Sequence, residues 1–238
     1  MRNRVASVTA GLVAVKGPAS RTRMCVVFLA VCLATAVGVL VGGPSVGGAS
    51  VASAASCSAG TVGSGYTTSG TPLNGALPAV GQTVSAGVEQ VSSNANNNNG
   101  VQVHGGITLV SGSDTIGVGI RSMGDGLGPE WYAEKDNNTI SSSLTFEGTF
   151  QPFSIKRTST TGYTLYAGGD SFNVTVTAPG SNHASEFWAY SKRSSNGTCP
   201  TMNYYLRNLS PWNTNGMNEF DDGPGVNTIS TTEFQVTQ

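Results

Sequence analysis

The chain has 238 residues, a formal net charge of −1, only 11% charged residues and 32 glycines. Globular proteins average about 25% charged residues and about 7% Gly, so coiled coils and long charged helices are excluded. A pI of 6.1 lacks the basic surface a nucleic-acid binder needs.

The first segment reads as an export address. Residues 1–24 carry Arg2, Arg4, Lys16, Arg21 and Arg23 and no acid; Cys25–Val41 then runs apolar except for Thr35, and small residues lead to Ala52-Ser53-Ala54-Ala55. A basic stretch, an apolar core and an Ala-x-Ala site predict a secretory signal over 1–54, with translation able to begin at Met1 or at Met24. The apolar run is shorter than the roughly 20 residues that span a bilayer, and Gly38, Gly42, Gly43 and Pro44 close it. No stable membrane span is therefore expected once the signal is removed. Gly43-Pro44-Ser45-Val46-Gly47 spells a nucleophile elbow, but it lies in the discarded part. Beyond residue 54 stand seven bases against thirteen acids, a net charge of −6 that suits a soluble, extracellular protein. Two cysteines remain there, Cys57 and Cys199, and in an exported chain they are expected to form one disulfide.

Residues 55–81 are Gly, Ser and Thr-rich with little periodicity and read as a leader to a single domain over 82–238. Asn94–Gly100 reads as a loop, since asparagine favours turns. After it the side chains alternate. Ile116, Val118 and Ile120 share a face, as do Phe172, Val174 and Val176, and Leu144 with Phe146, Phe153 with Ile155 and Tyr163 with Leu165 repeat the period of two. Further strands are predicted at Thr83–Val91, Gly106–Val110, Trp131–Lys135, Glu186–Lys192, Met202–Arg207 and Ile229–Val236. The separators are turn residues, among them Gly124-Asp125-Gly126, Asp136-Asn137-Asn138, Gly168-Gly169-Asp170 and Asn196-Gly197. Strands at this spacing, with no helical periodicity, predict an all-β, antiparallel two-sheet sandwich of jelly-roll or concanavalin-like kind.

The inventory excludes most chemistry. His104 and His183 are isolated from each other and from any cysteine pair, so no zinc spacing is present and no cofactor is implied. Acids beside aromatic rings are more informative. Glu130, Tyr132 and Glu134 share one face of an extended Gly128–Asp136, and Glu186, Trp188 and Tyr190 share another. Trp131, Tyr132, Trp188, Tyr190 and Trp212 are candidate ligand-binding residues, because flat rings next to hydrogen-bonding acids suit a sugar. The competing reading packs the same rings in the core. As hydrolytic residues, Glu134 and Asp136 would stand roughly 7 Å apart along a strand, within the inverting range, and Glu186 is a third candidate. The cluster Glu219, Asp221 and Asp222 is a candidate calcium site, against a solvated turn.

Glu130-Trp131-Tyr132 together with Ala167-Gly168-Gly169-Asp170-Ser171-Phe172-Asn173-Val174-Thr175-Val176-Thr177 resembles pieces of the secreted glutamic peptidases, the eqolisins. The resemblance implies a β-sandwich and a Gln–Glu dyad. Glu186, within Ala184-Ser185-Glu186-Phe187-Trp188, could stand for the glutamate, whereas Thr115-Ile116 occupies the place expected for the glutamine. The leading functional expectation is a secreted sandwich that binds a glycan or another cell-surface ligand. A sandwich hydrolase of polysaccharide or peptide is the alternative, and a non-catalytic envelope protein the third.

Overall fold

The computed structural model describes residues 57, 59–68, 77–97, 100–180 and 182–238; the expected signal segment lies outside the described residues. Alternation produces two seven-stranded sheets. The first runs β12 (Asn218–Asp221), β1 (Gly60–Thr67), β10 (His183–Arg193), β3 (Val101–Ser111), β4 (Asp114–Ser122), β5 (Pro129–Lys135) and β6 (Asn138–Leu144). The second runs β13 (Gly225–Ser230), β14 (Glu233–Thr237), β11 (Met202–Ser210), β2 (Thr83–Ser93), β7 (Gln151–Arg157), β8 (Gly162–Ala167) and β9 (Asp170–Thr175). Neighbouring strands pair antiparallel throughout. This is the sandwich that the periodicity predicts.

The core lies between the inner faces. Ile107, Leu109, Val118 and Phe187 of the first sheet meet Val88, Ile155, Leu165, Leu206 and Phe234 of the second. Each such side chain contributes about 1.5–3 kcal/mol by leaving water. One polar network crosses the dry layer. Tyr204 Oη donates to Gln90 Oε1 at 2.6 Å, and Gln90 Nε2 donates to Ser122 Oγ at 2.9 Å, joining β11 and β2 to β4. Gly105 makes room for it, since a Cβ there would stand 2.2 Å from the Tyr204 ring.

Several boundaries differ from the sequence reading. Part of the expected leader is Gly60–Thr67, a strand held between β10 and β12. Its glycines and serines hide the alternation, but Ser64 and Tyr66 are buried. Cys57 and Cys199 are disulfide-bonded, with Cα atoms 5.6 Å apart. That bond and the Arg193 guanidinium, which donates to the Cys57 and Gly197 carbonyls, hold the start of β1 beside the β10–β11 turn. Ile229–Val236 is two strands, since β13 ends at Ser230 and β14 begins at Glu233. The Asn94–Gly100 loop contains a short 3-10 turn over Asn94–Asn97 that buries Ala95. Phe146 lies beyond β6 and is 79% exposed. Among the described residues no helix is long and apolar enough to cross a membrane.

Candidate functional site

The outer face of the first sheet carries the chemistry. Register places residues in rows across the strands. One row reads Tyr190, His104, Arg121 and Glu130; the next, Trp188, Gly106, Gly119 and Tyr132; the third, Glu186, Thr108, Gly117 and Glu134. Alternation sends all of these away from the core, because their chain neighbours face inward. The glycines make the floor. A Cβ at Gly106 would come within 2.2 Å of the Val118 carbonyl, and one at Gly119 within 2.1 Å of the Gly105 carbonyl. Bare backbone between raised side chains leaves a groove of about 730 Å³.

Its aromatic wall is continuous. Trp188 stacks on Tyr190 and Tyr190 on His104, each at 4.5 Å between ring centroids, and His104 meets Tyr132 edge-on at 5.6 Å. Trp188 Nε1 donates to Thr108 Oγ1 at 3.0 Å, which fixes the indole over the floor. Arg121 is buried and organises the opposite wall. Its Nε donates to Glu130 at 2.6 Å, one terminal nitrogen to Glu134 at 3.4 Å and the other to Thr139 Oγ1 at 2.8 Å.

Two carboxyls face the groove in the third row. Glu134 leans across the floor: its Oε1 would lie 3.2 Å from a Cβ at Gly117. Glu186 is half-buried beside Trp188, and its carboxyl has no hydrogen bond or ion pair among the described residues. Strands stand about 4.8 Å apart, so the Gly117 and Glu186 backbones, with β3 between them, are roughly 10 Å apart. Burial pushes the Glu186 carboxyl above the ordinary glutamate range. Burial also raises Glu134, and the positive charge of Arg121 draws it partly back. His104 is lowered to about 3, first by burial and then by the fields of Arg121 and Lys192, so it is neutral from mild acid to neutral pH. Its Nδ1 is buried with no hydrogen-bond partner among the described residues. Burial raises Tyr132 and Tyr190 as well. Shifted groups gathered in one cleft make it the candidate functional site.

The other expected residues lie elsewhere. Trp131 points into the core, 8% exposed, where it stacks on Phe172 at 6.4 Å. Trp212 is half-buried against the core. Of the three tryptophans only Trp188 lines the groove, so the expected platform of tryptophan rings on one face is not formed. Asp136 is also apart from Glu134. Asp136 lies just past the end of β5 with φ at 53°, which takes it out of the strand alternation, and its Oδ1 accepts from the Thr115 N–H at 2.8 Å. Glu219 accepts from Tyr66 Oη, and Asp221 accepts from Ser64 Oγ at 3.1 Å, so these acids tie the edge strand β12 to β1. Asp222 is exposed in the turn that follows. Among the described residues no group of three His, Cys, Asp or Glu side chains is placed to hold a metal. His183 sits at the start of β10 with Nδ1 on the Gly180 carbonyl.

Sequence reasoning missed His104, Arg121 and the glycine floor. A signal existed: Gly106, Gly117 and Gly119 occupy outward positions of predicted strands, where a missing side chain marks close approach of something else.

No family model matches the chain, and no curated protein matches it. Among solved structures it is similar to scytalido-glutamic peptidase with a transition state analog inhibitor. The identity is 14%, the match covers 75% of this chain and 98% of that one, and the TM-score is 0.50. The same peptidase with a peptide-based transition state analog matches at 13% identity over 74% and 97% of the two chains, TM-score 0.48. SCP-B, a member of the eqolisin family in complex with the tripeptide Ala-Ile-His, matches at 13% identity over 74% and 97%, TM-score 0.47. At such identities the likeness is one of fold, and it extends the β-sandwich expectation drawn from the short eqolisin-like pieces.

Proposed function

We propose that this chain is an exported β-sandwich hydrolase that cleaves an extended peptide laid in the groove at acid pH. The observation that carries the reading is the pair Glu186 and Glu134, two carboxyls with elevated proton affinity facing one glycine-floored groove. Their surroundings separate their roles. Glu186, with no cation beside it, keeps its proton and is the general acid. Glu134, held against Arg121, loses its proton first and is the general base. The base takes a proton from water as its oxygen bonds to the amide carbon. The acid donates its proton to the leaving nitrogen as the C–N bond breaks, and solvent returns the proton from Glu134 to Glu186.

The choice of a peptide is supported by the peptidase whose fold the chain shares. The dyad implied by the eqolisin resemblance has no glutamine here. Gln102 is the glutamine lining the groove, and it lies six residues along β3 from Thr108, the partner of Glu186, or about 20 Å away. Glu134 therefore supplies the second group. The test is cleavage of an unfolded protein between pH 3 and 7. Fragments should appear with the wild type on the acid side and fall by about 10²-fold or more with Glu186→Gln; equal cleavage by both proteins would refute the assignment.

Glycan binding rests on Trp188 and Tyr190 once Trp131 and Trp212 are removed from the face and Tyr132 is buried beneath it, and no second observation favours it.

A further inference from the structure

The groove is electrically polar along its length. At one end stand Glu186 and Glu134. Six residues further along β10, about 20 Å at the rise of an extended chain, stands Lys192, which shares its register row with Thr61 of β1 and Gln102 of β3. All three line the groove, and none of their side chains has a hydrogen bond or ion pair among the described residues. A hydroxyl, an ammonium and a carboxamide thus offer donors side by side on three neighbouring strands.

The charges that face Lys192 leave this end positive. Tyr190 and His104 form the next row toward the acids, and His104 is neutral. Arg193, the chain neighbour, turns to the Gly197 and Thr198 carbonyls. The nearest row with an acid holds Glu130, whose charge Arg121 answers at 2.6 Å. No carboxylate of the described residues is paired with Lys192.

We propose that Lys192, with Gln102 and Thr61, forms a carboxylate-recognising subsite that selects ligands bearing an acidic group about six extended residues from Glu186. The proposal rests on the groove being the ligand site and deepens that reading by naming what its far end selects. The carboxylate accepts from the ammonium and from the Gln102 and Thr61 donors, charge-assisted bonds that a neutral amide cannot match. It comes either from a glutamate or aspartate side chain or from a free peptide C-terminus.

The test measures binding by fluorescence anisotropy, in the Glu186→Gln background so that no peptide is cut. Labelled ten-residue peptides of one sequence carry Glu or Gln at successive positions, with free or amidated C-termini. One carboxylate arm should bind about five- to tenfold more tightly than its amide counterpart, with the difference shrinking at high salt. The arm that shows the preference names the source. Lys192→Gln should erase the preference and Lys192→Arg should keep it. Both are exposed changes, verified by an unaltered thermal midpoint. Equal affinity in all arms, or a preference that survives Lys192→Gln, overturns the subsite. A Lys192-dependent preference in a protein that cleaves nothing would uphold the subsite and refute the hydrolase. Cleavage with no such preference would do the reverse.

Discussion

Replacing His104 with phenylalanine should change how stability depends on pH more than it changes stability at neutrality. The imidazole is 6% exposed, stacked on Tyr190 and edge-on to Tyr132, and its pKa is lowered from 6.5 to about 3. In the unfolded chain it titrates near 6.5. Between those values the unfolded state binds a proton that the folded state refuses, so the folded state loses about 1.4 kcal/mol for each pH unit below 6.5. From pH 6.5 to 4.5 that amounts to about 2–3 kcal/mol. Phenylalanine keeps a flat ring in the stack, removes the unpartnered Nδ1 and does not titrate. Glu186 and Glu134 act with the opposite sign: their raised values favour the folded state at low pH, and that contribution fades as pH rises through them. Both glutamates are present in either protein, so the difference between the two isolates the histidine. Urea unfolding at pH 7.0, 5.5 and 4.5 reads it. At pH 7.0 the two proteins should agree within about 1 kcal/mol; at pH 4.5 His104→Phe should be the more stable by about 2–3 kcal/mol. Parallel curves across this range would show that His104 titrates normally and that the aromatic wall of the groove is wetter than described.

Three further outcomes follow from the packing. Gly106→Ala would place a Cβ 2.2 Å from the Val118 carbonyl, in backbone that cannot yield, so it should cost about 1–3 kcal/mol and lower the thermal midpoint by several degrees; an unchanged midpoint would contradict the tight floor. Tyr204→Phe removes the 2.6 Å bond to Gln90 inside the core and should cost about 1–2 kcal/mol in urea unfolding, whereas a stabilised variant would mean that the network carries nothing. Replacing Cys57 and Cys199 by serine opens a loop of 142 residues, worth about 5 kcal/mol of loop-closure entropy, and a denaturant midpoint unmoved by the change would argue that β1 docks without the bond.

The sandwich was legible in the sequence because large apolar residues alternate wherever a strand buries one face. Ile116, Val118 and Ile120 are buried as predicted, and Phe172, Val174 and Val176 point to or pack on the core. The reading failed where the residues that pack are small or polar. β1 buries Gly63, Ser64 and Gly65, a pattern with no hydrophobic contrast, so it reads as a leader. The site was legible in halves. The faces carrying Glu130, Tyr132 and Glu134, and Glu186, Trp188 and Tyr190, are real, and alternation alone gives them. Their meeting across β3 and β4 depends on strand order, which no local pattern encodes. Trp131 was misjudged for the same reason that Tyr132 was not: adjacent residues in a strand face opposite ways, and only one can line the groove. The tight turn that begins at Asp136, with φ at 53°, defeated the simple strand spacing from Glu134.

The central claim is that Glu186 and Glu134 act as one acid–base unit. A double-substitution cycle on kcat/KM for a single peptide substrate, measured across pH 3–7 with Glu186→Gln, Glu134→Gln and both together, tests it most directly. Residues acting as a unit are strongly non-additive, so the double variant should be about as slow as either single one, and Glu186→Gln should abolish the fall in rate that the wild type shows as pH rises through the elevated Glu186 value. Two independent losses that multiply, or a wild-type pH profile retained without Glu186, would contradict the account.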